Sequence, residues 1–149
     1  MDLFDDVESI LDRKGHQVWC IGPDATVFDA IQGMAEKNVG ALLVLDSGDL
    51  VGIISERDYT RKVILKDRSS KDTRVREIMT KDVIVIPPEM TVEDAMRVMT
   101  RNRVRHLPVM IDGRVIGVVS IGDLVERTIA TQKIVVEQLE SYIVGRYPG

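Results

Sequence analysis

One cysteine, Cys20, stands in 149 residues. That excludes an internal disulfide framework and fits a compartment that keeps thiols reduced. Two histidines and one cysteine leave no Cys/His metal cluster to assemble. The longest apolar runs, Ala41–Leu45 and Val115–Val119, are strand-sized, far short of the roughly 20 residues that span a bilayer. Met1–Asp6 is acidic and lacks the basic and apolar pattern of a signal peptide. The net charge of −4 argues against a nucleic-acid partner. No Cys-x-x-Cys, Gly-x-Ser-x-Gly, Walker loop or Gly-x-Gly-x-x-Gly occurs. These absences predict a cytoplasmic chain without catalytic residues, a metal site, a catalytic cofactor or a membrane span.

Apolar residues make up 44% of the chain and charged residues 30%, enough for one compact domain or two small halves sharing a core. The organising feature is an internal repeat. Shifted by 65 residues, Pro23 falls on Pro88, Thr26-Val27 on Thr91-Val92 and Asp29-Ala30 on Asp94-Ala95. Met34, Val39, Leu42 and Val44 fall on Met99, Val104, Leu107 and Val109. Gly48, Gly52, Ser55 and Asp58 fall on Gly113, Gly117, Ser120 and Asp123, which makes 13 ungapped identities over 36 positions.

Each copy reads as βαββα. Thr26 and Thr91 are predicted helix N-caps, with Asp29 and Asp94 three residues on. Val27, Ala30, Ile31 and Met34 follow at helical spacing, as do Val92, Ala95, Met96 and Met99. The helices should stop near Asn38 and Asn102. Hairpins follow, Ala41–Leu45 with Leu50–Ile54 and Leu107–Met110 with Val115–Val119, around Gly48 and Asp112-Gly113. Short strands lead, Val18–Ile21 and Val83–Ile86, and helices trail, Arg57–Leu65 and Asp123–Ile143. One such unit is too small to bury its apolar face, so pairing of the copies is expected.

The predicted organisation is a helix over 1–15 (Leu3–Leu11, ended near Gly15), a first copy over 16–66, a polar connector over 67–80, a second copy over 81–130 and a helical extension over 131–149. Met34, Met79, Met96 and Met99 read as core or interface. Cys20 is expected to be buried or to line a pocket, and His16 to be exposed.

The arrangement resembles a pair of CBS domains, the Bateman module, over about residues 16–130. Pro23-Asp24-Ala25-Thr26-Val27, its counterpart Pro88-Glu89-Met90-Thr91-Val92, and Arg105-His106-Leu107-Pro108-Val109 carry the likeness. So do Gly52–Asp58 and Gly117–Asp123, which match the ligand motif Gly-apolar-x-Ser/Thr-x-x-Asp. Ser55–Tyr59 with Ser69-Ser70-Lys71 looks like the stand-alone single-pair proteins. The resemblance implies an α/β (α+β) fold of tandem repeats, each with a small mixed three-stranded sheet, related by a pseudo-twofold axis. It also implies a homodimer, an adenosine-containing ligand (AMP, ADP, ATP, NAD or S-adenosylmethionine) held between the copies, and a regulated protein partner.

Ser-x-x-Asp at a strand-to-helix junction has a chemical logic. The first helical amides favour anions, and the Asp carboxylate can accept both ribose hydroxyls. The same spacing is that of a plain helix cap, and the two roles are compatible. By the resemblance, the base lies against one copy while the Asp comes from the other, so that Asp58 works with Ile84, Val85, Val104 and Arg105, and Asp123 with Trp19, Cys20, Val39 and Gly40; Ser55 and Ser120 stand at the helix starts. Arg57, Arg61, Lys62, Arg105 and His106 are phosphate candidates; the alternatives are solvated surface charge and, for His106, a half-buried hydrogen-bonded ring. Gly40-Ala41 faces Arg105-His106 across the repeat, so two unequal sites are expected. A nucleotide-sensing module therefore competes with an interaction scaffold whose sites are vestigial.

Overall fold

The structure, a computed structural model, describes residues 5–146, with side chains described over 5–140. In chain order the helices and strands are α1 (Val7–Lys14), β1 (Cys20–Ile21), α2 (Val27–Lys37), β2 (Ala41–Asp46), β3 (Asp49–Ser55) and α3 (Glu56–Lys62). They continue with α4 (Val75–Ile78), α5 (Val92–Asn102), β4 (His106–Ile111), β5 (Arg114–Ser120) and α6 (Ile121–Arg146). The chain divides into two compact units. A central unit holds 17–85, and a terminal unit holds 5–16 together with 86–146.

Local chemistry accounts for the shared frame of each unit. Thr26 and Thr91 accept hydrogen bonds from the amides of Asp29 and Asp94, the expected N-caps. Helices α2 and α5 end on left-handed residues, Asn38 and Arg103. Both hairpins turn over two residues of positive φ, Ser47-Gly48 and Asp112-Gly113, whose twist matches that of the strands. The register slips at Val44/Leu45 and again at Val109/Met110. The repeat is therefore kept down to a bulge.

In the central unit β1 runs parallel to β2, and β2 pairs antiparallel with β3. In the terminal unit β4 pairs antiparallel with β5. The leading strand expected over 83–86 is reduced there to one parallel bridge, Ile86 to Val109. Pro87-Pro88 follows at once, and proline supplies no ladder donor.

The polar stretch expected to be a connector belongs to the central unit's core. Val75 and Ile78 of α4 are fully buried beside Val27, Val44 and Ile54. Val75 donates its amide to Ala25 and Arg76 to Pro23. Helix α1 makes the same bonds in the terminal unit, Val7 to Met90 and Glu8 to Pro88. Ala25 and Met90, like Pro23 and Pro88, are repeat partners. So α4 completes the first copy, and α1 completes the second from the far end of the chain. The two repeated glycines record it. A Cβ on Gly52 would lie 2.6 Å from Met79 Sδ, and one on Gly117 would lie 2.7 Å from Leu11 Cδ2.

Helix α1 begins at Val7, after the N-cap Asp6; positions 3 and 4 of its expected start lie outside the described residues. Cys20 is exposed rather than buried, because β1 is a two-residue edge strand that aims this side chain off the core. Met34 and Met99 are buried, as expected of core methionines. His16 is exposed but not idle: its Nδ1 lies 2.8 Å from the Ile116 carbonyl and its Nε2 is 3.3 Å from Asp12. These two contacts, in that order, hold its pKa above the usual value. Among the described residues, no helix is long and apolar enough to cross a membrane.

Candidate functional site

Each unit ends its hairpin at a serine that opens a helix. In the central unit the Ser55 hydroxyl accepts from the Asp58 amide (3.2 Å). Asp58 Oδ2 in turn accepts from the Ser55 amide (3.0 Å) and hydroxyl (3.1 Å). This is a reciprocal capping box. In the terminal unit Ser120 Oγ accepts from the Asp123 amide (3.1 Å), and Asp123 Oδ2 accepts from the Ser120 amide (2.8 Å). Capping is thus real at both junctions. The Asp side chains remain reachable, 13% exposed at Asp58 and 21% at Asp123.

The expectation of unpaired helical amides needs correction at two positions in each junction. Glu56 N bonds the Gly40 carbonyl, and Ile121 N bonds the Arg105 carbonyl. The Asp58 and Asp123 amides are taken by their serines. Backbone capture of an anion is limited accordingly, and cationic side chains must carry that task.

Both carboxylates hold a lysine. Lys62, one turn along α3, lies 3.1 Å from Asp58 Oδ1 and donates to the Ile78 carbonyl (2.8 Å). Lys14, from α1, lies 2.7 Å from Asp123 Oδ2 and donates to the Val118 carbonyl (3.0 Å). Burial pushes the Asp123 carboxyl up, but the bonds from Lys14 and the Ser120 amide outweigh it, so the group sits below the usual carboxylate range. It is ionised at neutral pH, as an acceptor for ribose hydroxyls must be. Lys14 lies 109 residues from Asp123, and nothing in the local sequence pattern points to it.

His106 opens β4 half-buried, and burial lowers its pKa. The Asp123 charge opposes that shift, while Lys14 and Arg105 add to it. The terminal unit therefore gathers Asp123, Lys14, His106 and Arg105 into one electrostatic neighbourhood. At the matching place in the central unit stand Gly40 and Ala41. The difference between the two units lies at Arg105-His106 against Gly40-Ala41, since each carboxylate has its own lysine, Lys62 at Asp58 and Lys14 at Asp123.

Val39 and Gly40 line a cleft of about 310 Å³ in the central unit, with Ile31, Met34, Ala35, Asn38 and Glu56. Its wall is part apolar side chain and part backbone, which suits a flat heteroaromatic ring. Trp19 is half-buried with Lys37 Nζ 4.5 Å from its ring centre. Ile84 and Val104 are half-buried, Val85, Arg61 and Arg105 are exposed, and Arg57 is half-buried at the start of α3. A second cleft, about 220 Å³, opens in the terminal unit among Asp5, Val92, Met96, Arg127 and Thr128 and holds none of the predicted residues. No group of three or more His, Cys, Asp or Glu side chains suited to a metal ion occurs among the described residues.

Comparison with known proteins matches the CBS domain model twice, over residues 7–64 and 75–129. A mitochondrial CBS domain-containing protein of Arabidopsis thaliana is 46% identical over 138 residues. The alignment covers 89% of this chain and 66% of the plant protein. A solved structure with CBS domains from Burkholderia ambifaria superposes with a TM-score of 0.82 at 48% identity, covering 85% of this chain and 95% of the other. A hexameric CBS-CP12 protein from bloom-forming cyanobacteria superposes at 0.75 with 32% identity, covering 83% and 68%.

Proposed function

This chain belongs to the CBS domain family, and on that premise we propose that it is a non-catalytic module that binds an adenine nucleotide and regulates a partner protein. The ligand class is AMP, ADP, ATP or NAD, so the module reports cellular energy or redox state. Its place is the cytoplasm, and it acts as a homodimer. The reading rests on the doubled junction. Two reachable carboxylates, Asp58 and Asp123, stand at equivalent strand-to-helix corners, each beside a lysine. Each carboxylate takes ribose hydroxyls. Val39 and Gly40 supply wall for a base, Arg57, Arg61 and Arg105 supply charge for phosphate, and His106 supplies a ring N–H donor. The cation-rich neighbourhood of Asp123 favours the more highly charged tail.

One observation favours a second reading, a dimerisation or interaction scaffold. Both carboxylates are already satisfied inside their own unit, by serine and lysine. Thermal unfolding against AMP, ADP, ATP, NAD and S-adenosylmethionine separates the two. A ligand at 100 times its Kd stabilises the fold by about 2.7 kcal/mol. Nucleotide sensing predicts such a shift for at least one ligand, lost in Asp58→Asn or Asp123→Asn. No shift with any of the five leaves the scaffold.

A further inference from the structure

The cleft of about 220 Å³ in the terminal unit contains none of the residues assigned above. Its wall comes from Asp5, from Val92 and Met96 of α5, and from Arg127, Thr128 and Thr131 of α6. Arg127 is only partly satisfied there. Its Nη2 pairs with Asp5 Oδ2. Its Nε is buried and has no hydrogen-bond partner among the described residues. A buried donor without an acceptor is costly and rare. Nε and Nη2 form one edge of the guanidinium, and that edge matches the two oxygens of a carboxylate, one N–H to each. Asp5 meets half of the edge. A carboxylate arriving along it meets both donors.

Asp5 is free to give way. Its main chain is held separately, since its carbonyl accepts from the Val92 amide (2.9 Å). Only the half-buried side chain has to turn aside.

The rest of the wall sets the class of ligand. Val92 and Met96 offer apolar surface, and the Thr128 hydroxyl is already taken by the Leu124 carbonyl (2.8 Å). The body of the ligand therefore meets carbon at these three residues. The cleft is smaller than the roughly 300–1,000 Å³ of sites for drug-sized molecules, so the ligand is small. Glu93, also at the cleft, is paired with Arg97 (2.6 Å), and Asp5 is paired with Arg127. Acids and cations balance, which suits one added negative charge at Arg127 and disfavours two.

We propose that this cleft binds a small aliphatic monocarboxylate, with Arg127 Nε and Nη2 donating to its two oxygens and the Asp5 side chain holding that place until the ligand displaces it. The site is separate from the nucleotide residues, and its failure leaves the nucleotide reading untouched.

The test is titration of the isotope-labelled full chain with sodium isovalerate at constant ionic strength, followed at the arginine Nε–H signals by heteronuclear NMR. The Arg127 signal is the one lost in Arg127→Lys. It should shift saturably, with a Kd on the order of 1 mM for so small a ligand. Neutral isovaleramide and inorganic phosphate should each bind about tenfold more weakly or worse. Asp5→Asn should tighten isovalerate binding about three- to tenfold, because a neutral amide competes less well for the guanidinium; an ion pair with a structural role alone gives no such gain. Arg127→Lys keeps the charge but loses the two-donor edge, and should raise Kd about tenfold or more. Circular dichroism checks that both variants fold, and the ligand series on the unaltered chain decides the matter without them. No saturable shift up to about 50 mM, a Kd below which no real site falls short, overturns the proposal. So does isovalerate that binds no tighter than its amide or than phosphate, or an Asp5→Asn chain that gains no affinity.

Discussion

Truncating Leu11 tests whether the segment before the first repeat is a working part of the second. Leu11 is fully buried, and its methyls crowd the place where a Cβ on Gly117 would stand, at 2.7 and 2.9 Å. Leu11→Ala alone removes buried methyl groups and leaves a cavity, which costs about 2–5 kcal/mol. Gly117→Ala alone overpacks the same spot, at about 1–3 kcal/mol. Combined, the new methyl enters the space the leucine vacated. Its steric penalty vanishes, and the alanine also trims the freedom of the unfolded chain, a gain of about 0.4–1 kcal/mol. The cycle should therefore show a favourable coupling of about 1–3 kcal/mol, well outside the roughly 0.5 kcal/mol within which independent sites add. Urea unfolding followed at the helical band measures it. In a heat melt each kcal/mol appears as about 2–4 °C. Costs that simply add would refute the claim that α1 packs on the second hairpin. A Leu11→Ala variant as stable as its parent would refute it more bluntly.

The reassigned connector makes a parallel prediction in the central unit: Ile78→Ala costs about 2–5 kcal/mol. Leu65→Ala, at an exposed leucine in the stretch before it, stays within about 0.5 kcal/mol; the two urea midpoints decide. Ser55→Ala breaks the capping box and costs about 0.5–2 kcal/mol on the same assay. His106 gives a pH dependence of definite sign. Burial holds its folded-state pKa below 6.5, so the unfolded chain binds the proton first. Its contribution is complete above the unfolded value and is lost as pH falls through 6.5 towards the folded one. His106→Asn should flatten that segment of the stability curve; an unchanged slope would place the titration elsewhere. Finally, if phosphate sits beside His106, ATP affinity should rise relative to adenosine over the same fall in pH, as calorimetry would show.

The repeat, both hairpins, the paired helix caps and the Ser-x-x-Asp corners were legible because each is written in residues a few positions apart. A Thr three before an Asp, or two positive-φ residues between apolar runs, specifies local backbone whatever surrounds it. The candidate residues Ser55, Asp58, Ser120 and Asp123 came from that same short-range grammar, and the capping geometry bears out its backbone half. What the pattern could not carry was partnership. Residues 67–80 look polar, yet three of them, Thr73, Val75 and Ile78, are buried. Lys14 reaches Asp123 across 109 positions, and Leu11 reaches Gly117 in the same way. The sequence alone determined that there are two copies and how each is drawn locally. Tertiary structure decided which segment completes which copy and which cation holds Asp123, because those choices depend on packing between residues that chain order keeps far apart.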